Sequence, residues 1–412
     1  MSETVMDDAL IERLVERFYR YVAIPTQSDA RAAKVPSTPG QWDLARLLHG
    51  ELTALGLEEV HLDTHCVLTA RLPASDDRKP RIGFCAHLDT VDVGLSPVIR
   101  PQRVRLDGKD VCLNRERAVW LRMDEHPDYA AYRGQEVLLS DGTSVLGADN
   151  KAAIAVIMEL LAELVATRVP HGDVVVAFVP DEEIGLRGAR SLDLARFPVD
   201  WAYTIDACAV GEFVYETFNA AQASIVIEGV TAHPMTAKGV LVNPILVAHD
   251  VIARLDPRDT PECTQGRDGY VWVNAMTADQ ASARLSVSIR DFDRAAFEGR
   301  KATLLEAVAA TQAAFPRAHV TCTITDVYAN IASCMGEDRR SVDQLRTAFA
   351  QAGITPKIIP MRGGTDGSAL SVRGIPTPNF FTGALNFHSV FECLPLTSFG
   401  ASYAVARALV VE

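Results

Sequence analysis

The sequence predicts an α/β fold, a mixed sheet sandwiched by helices, into which a smaller α+β domain is inserted. Two observations carry this. Helix-period and strand-period segments alternate through the first half and resume near the C-terminus, the pattern of a mostly parallel sheet covered by helices. Between them, from about Gln222 to Tyr328, strands of alternating polarity are interleaved with two helices, which describes a compact unit of its own. A length of 412 residues suits two domains of roughly 100–200 residues each.

The elements follow in order. Amphipathic patterns mark helices from about Asp7 to Ala23 and from about Gln41 to Leu55, and strands follow at "VLTARLPA" and "RIGFCAH". A long helix runs from about Lys151 to Thr167. The run "DVVVAFVP" is β-branched and aromatic without polar alternation, so it reads as a buried strand, and "WAYTIDA" is another. The insert then reads as "ASIVIEGV", a helix over about Asn243–Leu255, "VWVNAMTA", "ARLSVSIRDF", a helix over about Arg294–Phe315, and "HVTCTITDV". A helix near Ser341–Gln351, the strand "TPNFFTG" and a terminal helix complete the larger domain. The expected boundaries are 1–218 and 328–412 for the larger domain and 219–327 for the insert.

Composition narrows the partners. Forty basic against 53 acidic side chains leave a net charge of −13, which disfavours nucleic acid and anionic membranes. The eight cysteines are scattered, form no C-x-x-C pair and lie partly in apolar runs, as reduced thiols do. The N-terminal "MSETVMDDALIERLVERF" is acidic and amphipathic, unlike a signal peptide, and no apolar stretch nears the roughly 20 residues that span a bilayer. The expectation is a soluble, cytoplasmic protein.

Ligands of open α/β sheets gather at the carboxyl ends of the strands. "RIGFCAH" ends in His87, with Asp89 two residues on. "DVVVAFVP" empties into Asp181, Glu182 and Glu183, and "WAYTID" ends in Asp206. Asp149 opens the long helix, and His388 lies in the late loop "TGALNFHSVFE". Singly, each has an ordinary explanation: a core histidine, a helix cap, a turn residue, a surface loop. Gathered on one side of one sheet, with no basic partner among them, they would repel one another unless they bind metal. The charges of Asp149, Glu183 and Asp206, with one hydroxide, balance two divalent cations. Imidazole and carboxylate donors without thiolate suit zinc, manganese or cobalt.

The stretches "HLDTVD", "LLSDGTSVLGADNKAAIAVIM", "VPHGDVVVAFVPDEEIG", "GEFVYETFNAA", "AHPMTAKGVLVN", "SIRDFDR" and "RGGTDGSALSVRGIPTPNFFTGALNFHSVFE" cover nearly the whole chain. They resemble peptidase T, the tripeptide aminopeptidase branch of the aminoacylase/carboxypeptidase G superfamily of two-metal hydrolases. The resemblance implies a zinc-peptidase-like catalytic domain and an inserted lid or dimerisation domain. His87 and Asp206 would hold one metal, Glu183 and His388 the other, and Asp149 would bridge them. Asp89 would orient His87, and Glu182 would serve as general base and then acid. Asp181 is expected to bond backbone in its own turn. In related dimers a histidine like His233 reaches the partner's site to stabilise the oxyanion, although a residue before Pro234 can also be a cap. Arg290 and Arg362 resemble residues that hold a substrate carboxylate, and the glycines and Thr365 of "RGGTDG" would let backbone approach the substrate.

Four departures lie at or beside this site. The family's D-G-G is "DAC" (Asp206–Cys208), its "GADDK" is "GADNK" with Asn150, its "HGKHE" is "HSVFE" with Phe391, and its Ser-Pro-Asp after "HLDT" is "VDVG". Phe391, Val91 and Val93 are expected to make the pocket more apolar. The expected activity is metal-dependent hydrolysis of a C–N bond, the release of the N-terminal residue of small peptides by a homodimer or larger homo-oligomer. The alternative is an aminohydrolase or amidohydrolase of a small aromatic acid, such as a nitroanthranilate-type amine. A binding protein that lost catalysis is disfavoured by the complete donor set. Serine-hydrolase and nucleotide-binding motifs are missing.

Overall fold

The computed structural model describes residues 8–411. They form two compact units: one runs to Tyr215 and resumes over Met335–Ile359 and from Thr365 onward, the other comprises Glu216–Cys334 and Pro360–Gly364. The second unit therefore begins and ends outside the 219–327 read from sequence and takes in a short segment assigned there to the larger domain. The reason is local. Arg362 donates to the carbonyls of Gly266 and Asp268 and to the Thr264 hydroxyl, which binds its segment to the insert.

The first unit is built on an eight-stranded mixed sheet. Its order is Glu58–Leu62, Leu68–Leu72, Val174–Val179, Ile82–His87, Trp201–Ala207, Asn379–Phe381, Glu212–Thr217 and Lys357–Met361. Ile82–His87 runs parallel to both of its neighbours, with His87 opposite Val179, and Asn379–Phe381 runs parallel to Trp201–Ala207. Every residue of Ile82–His87 and Val174–Val179 is buried, as an unbroken apolar run requires of a strand covered on both faces. The helix Ala148–Thr167 lies against Ile82–His87 and Trp201–Ala207 and packs with helices Asp8–Val22 and Leu396–Val411. The last finding explains its composition: fifteen of its residues are buried, so it shows no polar face.

A three-stranded sheet (Cys393–Pro395, Glu136–Leu139, Gln102–Arg105) and the hairpin Val111–Asn114/Val119–Leu121 flank this core. These strands of three or four residues are too short to show a period, which is why the sequence does not reveal them.

The second unit is an antiparallel sheet in the order Tyr270–Ala278, Ser282–Asp291, Asn219–Glu228, His319–Tyr328. Ala221, Ala223, Ile225 and Ile227 alternate onto one face and share a core with Val247, Val251, Phe297 and Leu304 of helices Pro244–Ala253 and Arg294–Ala314. Asn243 and Asp293 cap those helices by accepting from the N–H groups of Ile245 and Ala296. The other face is polar, where Gln222, Ser286, Ser288 and Asn274 are linked by hydrogen bonds. Among the described residues no helix is long and apolar enough to cross a membrane, and no disulfide forms.

Candidate metal centre

Three parallel strands and one irregular helix start bring the donors together. His87 ends its strand, Glu182 and Glu183 follow Val174–Val179, and Asp206 is the penultimate residue of Trp201–Ala207. Asp149 sits in the first turn of Ala148–Thr167, where the backbone of Asp149 and Asn150 is non-helical and the carboxylate is turned out of the helical path. His388 lies in the loop between Asn379–Phe381 and Cys393–Pro395.

The geometry forms two triplets with one shared member. His87 Nε2 is 2.8 Å from Asp149 Oδ1 and 3.8 Å from Asp206 Oδ1. His388 Nε2 is 3.1 Å from Asp149 Oδ2 and 2.9 Å from Glu183 Oε1. Within each triplet the donor atoms all lie within 4.8 Å of one another. The two oxygens of Asp149 thus serve different histidines, as a bridging carboxylate must.

Neighbouring groups aim these donors. His87 Nδ1 lies 3.0 Å from the Asp89 carbonyl and 3.4 Å from its carboxylate, acceptors that favour a ring proton on Nδ1 and turn Nε2 toward the donor set. The Asp89 carboxylate also accepts the N–H groups of Glu182 (2.9 Å) and Glu183 (3.2 Å). It therefore sets the acidic turn as well as the imidazole. Asn150, the residue that departs from the family pattern, donates to the Ile205 carbonyl (2.8 Å) and to Asp206 Oδ1 (2.9 Å). Asp181 does not bond its own turn. It accepts from the backbone and hydroxyl of Ser37 and from the Gln41 amide, because its left-handed backbone (φ +57°) turns the carboxylate into the core. The three adjacent acids thus do different things: Asp181 anchors, Glu183 joins the donor set, and Glu182 stands beside it.

The electrostatics suit cations. Burial, then the charge of Asp149, pushes Asp206 up to about 6 and Glu183 up to about 7. Burial raises Glu182 as well, reinforced by Asp206 and Asp366. Hydrogen bonds to Asp149 and Glu183 hold His388 up at about 10. Burial would raise Asp149 too, but its bonds to the two histidines outweigh that and keep it low. Acids crowded until they resist ionisation are the environment that two divalent cations relieve, and this oxygen and nitrogen donor set fits them. Lys151, wholly buried, points its ammonium at Thr26 Oγ1 (2.6 Å) and does not reach the carboxylates as an ion pair.

The remaining predicted residues belong to neither donor triplet. His233, in the second unit, is exposed, and its Nδ1 accepts the N–H of Met235, so it does cap the short turn at Pro234. Arg290 donates to the carbonyls of Ala221 and Ile289 beside the Tyr328 ring, and Arg362 stacks over Phe218 and Tyr270. Thr365 is buried, and its hydroxyl caps helix Asp366–Val372 by accepting from the Gly367 N–H. The partly buried Phe391 ring packs 4.7 Å from His126 and against the small core around Tyr129 and Leu113. Cys208 belongs to neither donor triplet. Sequence reasoning overlooked Glu392, whose buried carboxylate grips the turn that carries Asp149. Its position four residues after His388 was the available signal.

The chain is similar to known proteins along nearly its whole length. Residues 147–412 match the model of peptidase family M20/M25/M40. A peptidase T-like protein of Yersinia pestis is 57% identical over 98% of both chains, and one of Rhizobium meliloti is 53% identical over 96% of this chain and 97% of the other. Peptidase T of Geobacillus kaustophilus is 42% identical over 92% of this chain and 93% of its own. The fold is that of the aminopeptidase PepT from Bacillus cereus, with a TM-score of 0.75 at 24% identity over 97% of each chain. The family match and the likeness to relatives along nearly the whole chain lead to one conclusion: the chain belongs to peptidase family M20/M25/M40, in its peptidase T branch.

Proposed function

We propose that the protein is a metal-dependent aminopeptidase that releases the N-terminal residue of short peptides, tripeptides foremost. The observation that carries the reading is Asp149, one carboxylate split between two histidine-containing triplets. His87, Asp149 and Asp206 would hold one cation, and Asp149, Glu183 and His388 a second, of the zinc or manganese class with cobalt as a substitute. Bound there, the pair would supply Lewis acidity and an activated water.

The chain's own residues do the rest. Glu182 takes the proton of the attacking water and returns it to the leaving nitrogen. Its raised affinity for protons, from burial among other acids, suits both halves of that task. Asp89 keeps the His87 ring and the Glu182–Glu183 backbone in place. Arg290 and Arg362 each have backbone carbonyls and aromatic rings as neighbours, and among the described residues neither has a carboxylate within ion-pair distance. Their charges suit the carboxylate of a peptide.

A homo-oligomer is part of the proposal. Met235 (85% exposed), Val240, Leu241, Ile245, Leu246 (59% exposed) and Ile252 leave the helix Pro244–Ala253 and its approach apolar on the outward side too. A second copy would cover that surface, and His233 lies in the same stretch. The cytoplasm is the proposed compartment. The aromatic aminohydrolase alternative is not favoured, because relatives at 40–57% identity over nearly the whole chain are named for peptidase T. The test is activity after reconstitution with Zn²⁺ or Mn²⁺, on tripeptides and on electron-poor aminobenzoates. Tripeptide cleavage that stops with chelator is expected. Inert tripeptides, with ammonia released from an aminobenzoate, would overturn the reading.

A further inference from the structure

Glu392 is buried, 1% exposed, and belongs to neither donor triplet. One of its oxygens accepts the N–H groups of Leu146 (2.7 Å) and Gly147 (2.9 Å), the other that of Asp149 (3.1 Å). These amides precede or open the helix Ala148–Thr167, where a first turn has no intrahelical acceptor for them. The turn also has Gly147 at φ +75° and non-helical dihedrals at Asp149 and Asn150, so the helix itself does not hold it.

The same residue closes the loop of His388. Leu385 and Cys393 exchange backbone hydrogen bonds (2.8 and 3.0 Å), and Glu392 donates its own N–H to Ser389 (3.1 Å). Tyr129 braces this loop independently, donating to the Phe391 carbonyl while its hydroxyl accepts from Asn386 (2.8 Å). Glu392 thus fastens the base of the His388 loop to the backbone of the turn carrying Asp149.

From this juxtaposition we infer that Glu392 is a positioning residue for the metal pair: its carboxylate fixes the Asp149 turn relative to His388 and so sets the affinity of both triplets. A carboxylate is needed because only two acceptor oxygens, with no hydrogens of their own, can face three converging N–H groups. The inference rests on the proposal that this site binds two cations, but not on which substrate is cut.

The test compares wild type, Glu392→Gln and Tyr129→Phe as purified full chains, with Zn²⁺ affinity measured by competition against a chromogenic chelator. Glutamine keeps the shape and replaces one acceptor with an NH₂ that meets an N–H. The expected result is roughly 10–100-fold weaker binding in Glu392→Gln, with turnover restored toward wild type at saturating metal. Tyr129→Phe loosens the loop without touching the Asp149 turn and should stay within a few-fold of wild type. Wild type that binds no Zn²⁺ overturns the metal proposal itself. Wild type that binds two ions, with Glu392→Gln equal to it or no weaker than Tyr129→Phe, overturns the role of Glu392 alone. Hydrogen exchange of metal-free wild type decides the matter if the glutamine variant does not fold. Slow exchange at Leu146, Gly147 and Asp149 is expected, and free exchange there refutes the inference.

Discussion

Asp89→Asn tests whether one buried acid governs both halves of the centre. Asp89 is 0% exposed and receives two backbone N–H groups, from Glu182 at 2.9 Å and Glu183 at 3.2 Å, while His87 Nδ1 stands 3.4 Å away. Asparagine preserves the volume but has one acceptor oxygen, so one of these donors must face an amide hydrogen. A hydrogen bond to a charged group is lost and a buried donor is left unpaired, which together cost about 2–4 kcal/mol of unfolding free energy. The released imidazole and acidic turn should also weaken metal binding roughly 10–100-fold. Urea unfolding of the metal-free protein reads the first quantity, and chelator competition reads the second. If the midpoint and the affinity both match wild type, Asp89 does not hold the site and the orienting role fails.

Other expectations follow from the same geometry. Glu182→Ala should lower kcat by roughly 10²–10⁴-fold while the metal stoichiometry, measured by plasma emission, is unchanged; near-normal turnover would remove Glu182 as the base. His388→Ala takes a donor from one triplet, so it should abolish turnover and lose one of two ions, and full occupancy would refute its role as ligand. His233→Ala alters an exposed side chain, and its unfolding midpoint should stay within about 0.5 kcal/mol of wild type although the rate falls. An unaltered rate would leave His233 only its cap on the Pro234 turn. Metal at about 1,000 times its dissociation constant should stabilise the fold by about 4 kcal/mol, so chelator should lower the thermal midpoint. A midpoint indifferent to chelator would mean that folding does not pay for a preformed site.

Strand composition and strand ends were legible because they are local. "DVVVAFVP" and "RIGFCAH" have no polar alternation, and the structure buries all of Val174–Val179 and Ile82–His87. The resemblance then assigned donors to positions. Individual short strands were not legible, since three residues such as Cys393–Pro395 hold no period, and they owe their pairing to Glu136–Leu139 and its neighbours. One side-chain direction was not legible either: Asp181 turns into the core through a left-handed backbone and bonds Ser37 and Gln41.

The sequence by itself determined the kinds of atom offered to a ligand and the strand ends that offer them, because residue type and hydrophobic period are properties of neighbours along the chain. Only the tertiary structure decided that the two oxygens of Asp149 divide between His87 and His388, that Asn150 steadies Asp206, and that Glu392 fastens the turn beneath them. Those partners lie 56 to 243 residues apart in the chain. Hydrogen bonds of a few ångströms between such distant residues depend on how the sheet and its helices pack, which no local pattern encodes.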